Sequence, residues 1–106
     1  MSTSTPLPVV SELPNEKVLM HAAKIAIEAD KPILLDYYRD SREDKAFLGE
    51  DKDTKEQMLV KSKHEYTSPV IKKFKAKDDY IIETENSIYI VSGLIKRKEI
   101  SSGGGA

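Results

Sequence analysis

Six lysines stand between Lys61 and Lys77: Lys61, Lys63, Lys72, Lys73, Lys75 and Lys77. One acid, Glu65, and two aromatic residues, Tyr66 and Phe74, are interleaved with them. Lysines spaced along a strand can follow a phosphate backbone while aromatic rings stack on bases, which is how some small barrels hold single-stranded nucleic acid. Lysine on an edge strand is also an ordinary defence against pairing with another sheet. The acids between Asp40 and Glu56 offset the patch in the total charge, and the defensive reading is the favoured one.

Other residues that could do chemistry are scattered. Asp36 lies between Leu35 and Tyr37 in an apolar run, where a half-buried carboxylate with a raised pKa could act as a general base. More often such an Asp faces outward or satisfies backbone groups. Glu50-Asp51-Lys52-Asp53 carries acids at calcium-loop spacing, but Glu56 stands where that loop needs Gly. His21 and His64 sit in charged surroundings, and nothing nominates a third ligand for a metal. The phosphate-binding glycine loops, the G-x-S-x-G elbow and the H-E-x-x-H pair are all missing. The chain therefore reads as non-catalytic, with no cofactor implied.

The elements that would position these residues follow from apolar spacing. Asn15 is a suitable N-cap, and Glu16 places an acid in the first turn of a helix expected to run from about Asn15 to Asp30. Val18, Ala22, Ile25, Ala26 and Ala29 form its apolar stripe, with Lys17, His21, Lys24 and Glu28 opposite. Leu19, Met20, Ala23 and Ile27 widen the apolar side. Pro32 ends the helix.

Strands are expected at 33–38 (ILLDYY), 46–48, 57–62 and 70–76. Residues 39–45, 49–56 and 66–69 are read as polar connections. Asp79 to Ser92 (DYIIETENSIYIVS) reads as a hairpin, with Asn86 supplying the positive φ of its turn. A two-residue loop at Glu85-Asn86 sets Ile82 opposite Tyr89; a three-residue loop including Ser87 sets Ile82 opposite Ile90. Either register leaves apolar side chains on both faces, so the sheet must curl or be covered on each side. Gly93 breaks the pattern, Leu94-Ile95 tuck back, and Lys96-Arg97-Lys98 are solvated.

The expected fold is α+β: one N-terminal amphipathic helix on a small antiparallel sheet, or an SH3- or OB-like barrel of five to six short strands. Residues 15–100 form one domain of the 106-residue chain, between an arm (1–14) rich in Pro, Ser and Thr and a Ser/Gly tail (101–106). The arm is expected to be loose, with Leu7, Val9, Val10 and Leu13 as the residues that could dock on a partner. There is no cysteine, so disulfides and thiolate ligands are excluded. The net charge of −1 gives no general attraction to nucleic acid or anionic lipid. No apolar run approaches membrane-spanning length and no secretory leader is recognised, which points to a soluble, non-secreted, cytoplasmic or nuclear protein.

The segments EYTSP and ETENSIYIVS within residues 64–92, with KVLMHAAKIAI ahead of ILLDYY, resemble small uncharacterised proteins of large DNA viruses of algae and protists. The resemblance covers roughly residues 16–92 and carries no functional residue across. It implies a virus-encoded protein, a minor capsid or virion component whose partners are capsid or core proteins and whose location is the particle. The reading is a structural or assembly protein acting through protein–protein contacts. The alternative is a small nucleic-acid-binding barrel using the 61–77 surface.

Overall fold

A computed structural model describes residues 13–100. In chain order the elements are α1 (Glu16–Ala29), β1 (Ile33–Leu34), α2 (Tyr38–Arg42), β2 (Phe47–Asp51), β3 (Gln57–Ser62) and β4 (Glu65–Tyr66). They continue with β5 (Val70–Ala76), β6 (Asp79–Thr84), β7 (Ile88–Ser92) and β8 (Lys96–Ile100). The class is α+β, as expected. The barrel is not formed: the strands make two four-stranded mixed sheets, ordered β1-β7-β6-β5 and β4-β3-β2-β8.

The β6–β7 hairpin is central to the first sheet. Its register pairs Ile82 with Tyr89 and Tyr80 with Val91, which is the two-residue-loop alternative. The positive φ expected at Asn86 is not there; among the described non-glycine residues it occurs at Asp30, Asp44, Lys55 and Lys77. The turn is held instead by side chains. Thr84 Oγ1 accepts from the Ser87 N–H and donates to the Ser87 carbonyl, while Asn86 Nδ2 donates to Ser68 Oγ.

Strand alternation then sends neighbours to opposite faces. On one face Ile81, Ile88 and Ile90 meet Val18 and Ala22 of α1 with Tyr38 and Ala76. On the other, Ile82 and Val91 meet Leu48 and Leu59 of the second sheet, with Tyr37 and Ala46. The layers are thus helix, sheet, sheet. Each fully buried Ile contributes about 1.5–3 kcal/mol of transfer free energy, which places the weight of the fold on this hairpin.

The helix forms as its capping predicts. Asn15 Oδ1 accepts the Lys17 N–H at 2.7 Å, and the C-cap Asp30 is left-handed at φ 57°. Lys17, His21, Lys24 and Glu28 are exposed, as expected from the polar face. Met20 and Ile27 do not widen the buried face: they are 62% and 80% exposed.

The run 33–38 is shorter as a strand than its composition predicts. Only Ile33 and Leu34 pair, in parallel with Ile88 and Tyr89 of β7. The chain then turns, with the Tyr38 N–H on the Leu35 carbonyl, and enters α2 inside the expected polar connection. Ser41 explains why the turn is worth making: its buried hydroxyl donates to the Tyr38 carbonyl at 2.6 Å and accepts the Ser92 N–H at 2.8 Å, fastening α2 to the end of β7.

Two strands form where the sequence suggests a turn and a solvated charge run. Tyr66 belongs to β4 rather than a turn, paired with Val60. Lys96-Arg97-Lys98 are exposed but lie in β8, parallel to β2 in the register Phe47–Lys96 to Asp51–Ile100. Gly93 turns the chain toward β8 at a place where a Cβ would lie 2.3 Å from the Asp78 carbonyl oxygen, so no other residue fits. Ile95 tucks into the second core but Leu94 does not, remaining 77% exposed.

Candidate functional site

The six lysines do not form one surface. Lys61, on β3, is committed to carboxylates: its Nζ lies 3.4 Å from Asp40, 3.6 Å from Glu65 and 4.0 Å from Asp36, and 4.5 Å over the ring of Tyr37. Lys63 is exposed in the turn before β4. The remaining four belong to β5 and the turn after it, and β5 divides them. Lys72 pairs with Glu83 and Phe74 with Ile81, so both point to the helix side. Lys73 pairs with Ile82 and Lys75 with Tyr80, so both point to the second-sheet side, where Lys75 lies 4.8 Å over the Tyr80 ring. Phe74 is half-buried against the helix-side core and Tyr66 is exposed on β4, in the other sheet. The aromatic rings and the free lysines therefore do not share one track.

Asp36 is brought into a cluster that its sequence position did not disclose. It joins Asp40, Glu65, Lys61, Tyr37 and Tyr89, whose rings meet edge to face at 5.4 Å. Burial, and then the negative charge of Glu65, Asp36 and Asp40 and the neighbouring Tyr89, push the Tyr37 phenol up to about 12. Burial and Asp36 raise Tyr89 as well, against the opposing effects of Ser87 and Lys61. A phenol held protonated and a single lysine shared by three acids make a seam with an excess of negative charge between the sheets.

The helix side has its own ionisable groups. Lys31 Nζ lies 2.7 Å from Glu83 and 2.8 Å from the Thr84 carbonyl, tying the end of α1 to β6. Tyr38 donates to Asp79 Oδ2 at 3.4 Å. Burial raises the Asp79 carboxyl, opposed by that hydrogen bond, while burial and Asp79 raise the Tyr38 phenol. Every one of these contacts joins two elements.

Asp51 is buried, and its Oδ1 accepts the N–H groups of Asp53 and Thr54 at 2.7 and 2.9 Å, which makes it the organiser of a turn. Among the described residues no group of acids or histidines is placed to hold a metal ion. His21 and His64 are exposed and belong to different elements, α1 and the β3–β4 turn. No helix of the described residues is long and apolar enough to cross a membrane. Of the arm residues, Leu13 is 48% exposed, while Leu7, Val9 and Val10 lie outside the described residues.

One surface feature has no signature in the sequence. A shallow cleft reaches the second core from outside, floored by Leu48, Leu59, Ile82 and Val91 and rimmed by Lys73 of β5 and Arg97 of β8. β5 ends one sheet and β8 ends the other. The enclosed space is only about 10 Å³, room for a single water and not for a small-molecule substrate. No pattern along the chain could have announced it, because its lining comes from six strands and the β7–β8 connection.

Comparison with known protein families, with curated proteins and with solved structures finds no match to this chain.

Proposed function

We propose that the chain is a non-catalytic module that acts through protein contacts, as a small structural or assembly component. The observation that carries this reading is the outer face of α1. The helix already buries Val18 and Ala22 against the sheet, yet Met20 and Ile27, seven residues apart on the opposite side, are 62% and 80% exposed. A surface helix normally keeps that side polar, and an apolar pair there offers a covering neighbour a place to bury surface. The narrower placement, a minor component of a virus particle among capsid or core proteins, rests on the sequence resemblance alone, and co-purification with a particle tests it.

A photo-reactive phenylalanine analogue in place of Ile27, in cells that make the chain, should cross-link to protein. Retention of the purified chain on single- and double-stranded DNA and RNA should be no tighter than the ~10⁻⁴ M end of non-specific association at physiological salt. Micromolar binding that disappears in the Lys73→Ala/Lys75→Ala double variant, with no protein cross-link at Ile27, would replace this reading with the nucleic-acid one.

A further inference from the structure

We infer that the free edge of β5 is a strand-addition site for an extended partner segment that alternates acidic and apolar residues. The inference rests on the protein-contact reading and names a second surface and the chemistry of what it takes.

Three observations meet at this edge. First, β5 is seven residues long and pairs only with β6 among the described strands, so one row of its backbone groups has no strand partner. An added strand satisfies such a row, and the side chains that flank it set the specificity. Second, β5 presents different chemistry on its two faces. Lys73 and Lys75 point to the second-sheet side, and Arg97 of β8 stands across the cleft from Lys73. No carboxylate among the described residues lies within ion-pair distance of any of the three. Third, the other face of the same strand carries Phe74, half-buried at the margin of the helix-side core, and Ala76, with the exposed Lys72 at the far end of that row.

A strand added to β5 has the same two-residue alternation. Every second side chain falls beside Lys73 or Lys75, and a carboxylate beside Lys73 also faces Arg97 across the cleft. The side chains between them fall on the helix side, where an apolar group extends the margin formed by Phe74. Period-two alternation of acid and apolar is therefore the pattern that the edge accepts.

The same lysines decide against the simplest competitor. A second copy of β5 paired edge to edge would set Lys72, Lys73 and Lys75 against their own like charges, which is destabilising across a strand pair. Charges that reject self-pairing select an oppositely charged strand.

The test uses the full chain, isotope-labelled, titrated with a blocked, fluorescent peptide of sequence Glu-Val-Glu-Ile-Glu-Val-Glu. Its counterpart has Lys in place of every Glu. The acidic peptide should bind about tenfold or more tightly than the basic one, with amide shifts centred on 70–76 and at Arg97. The Lys73→Glu/Lys75→Glu variant, both positions being exposed, should keep its fold and reverse the preference. Equal binding of the two peptides, no binding of the acidic one, or shifts centred away from β5 would overturn the proposal. So would a dimer in light scattering that the double variant abolishes, which makes a second copy the occupant. Nuclear Overhauser contacts from residues 1–12 to β5 in the free chain would overturn it too, the chain itself then filling the edge. Failure here leaves the cross-link at Ile27 untouched, so the two readings fall separately.

Discussion

Ile81 and Ile82 are adjacent, equally buried and chemically identical, yet they lie in two different interiors. Ile81 is sealed by α1, a single continuous element laid on the sheet. Ile82 meets the second sheet, whose last strand, β8, joins β2 from the far end of the domain, and which leaves a cleft at Ile82 itself. One face is closed by an element that forms largely from local contacts; the other is closed by tertiary pairing and stays incomplete at one edge. The difference teaches that burial alone does not measure how firmly a side chain is held.

The largest effect expected is the direct comparison of these two residues. Ile81→Ala leaves a void that the helix cannot easily fill, and should cost about 4–5 kcal/mol, the upper part of the range for such truncations. Ile82→Ala opens onto the cleft, where side chains can shift and water can enter, and should cost about 2–3 kcal/mol. Denaturant unfolding of the two variants measures both. Equal costs would show that the second-sheet face is as tightly closed as the first.

A smaller contrast separates the two half-buried lysines, Lys31 on the helix side and Lys61 on the other. Lys31 has one close carboxylate and one backbone carbonyl, and the side chains of Lys31 and Glu83 are 17% and 12% exposed. Glu83→Ala strands that ammonium and should cost about 2–3 kcal/mol, less than the loss of a fully buried partner. Lys61 shares three acids, two of them more than half exposed, at distances of 3.4 to 4.0 Å. Losing any one of them leaves it two others, so Glu65→Ala should cost less than about 1 kcal/mol. Thermal melts of the two alanine variants side by side give the comparison; a Glu65→Ala loss as large as that of Glu83→Ala would erase it.

Smallest is the effect of Asp79. Its carboxyl is raised by burial, so the folded chain holds that proton more firmly than the unfolded chain does. Its contribution is fully present below the unfolded carboxyl pKa and is lost as pH rises through the folded one. Asp79→Asn, which keeps an acceptor for Tyr38, should therefore gain stability on the parent as pH rises from 3 toward 7, by about 1 kcal/mol or less. A stability difference that stays flat over that range would show that the carboxyl is unperturbed.

Much of the helix-side interior was legible in the sequence, and the reason is periodicity. Val18 and Ala22 lie on a stripe that a 3.6-residue repeat reveals, and Ile81, Ile88 and Ile90 follow from alternation once the loop length is fixed. The expected bounds of β3 and β5 agree with the structure for the same reason. What the sequence could not disclose depends on tertiary pairing. β8 reads as a solvated charge run because only Ile100 is apolar in it, and its strand conformation comes from lying beside β2. Tyr37 and Tyr38 look like strand residues because aromatic side chains favour strands, but Ser41 and Ser92 supply a better arrangement as a turn into α2. The turns at Lys55 and Lys77 take a left-handed conformation that lysine does not advertise. As for the candidate surfaces, the lysines were visible, but their division between two faces required the pairing of β5 with β6. The Lys61 seam and the Arg97 rim required the second sheet.

The parallel pairing of β8 with β2 has a consequence for the chain as it is being made. Half the domain is synthesised between these two strands, so β2 must wait with one edge bare until β8 emerges to lie beside it. β1 waits in the same way for β7. Pairings between segments so distant in sequence carry a large loop-closure cost before they return any contact energy, and they slow folding accordingly. A nascent chain halted anywhere before Lys96 would display the unpaired edge of β2, Phe47 to Asp51, to its neighbours on the polysome. Translation speed through residues 52–95, as much as the finished contacts, would then govern how much of the protein escapes aggregation.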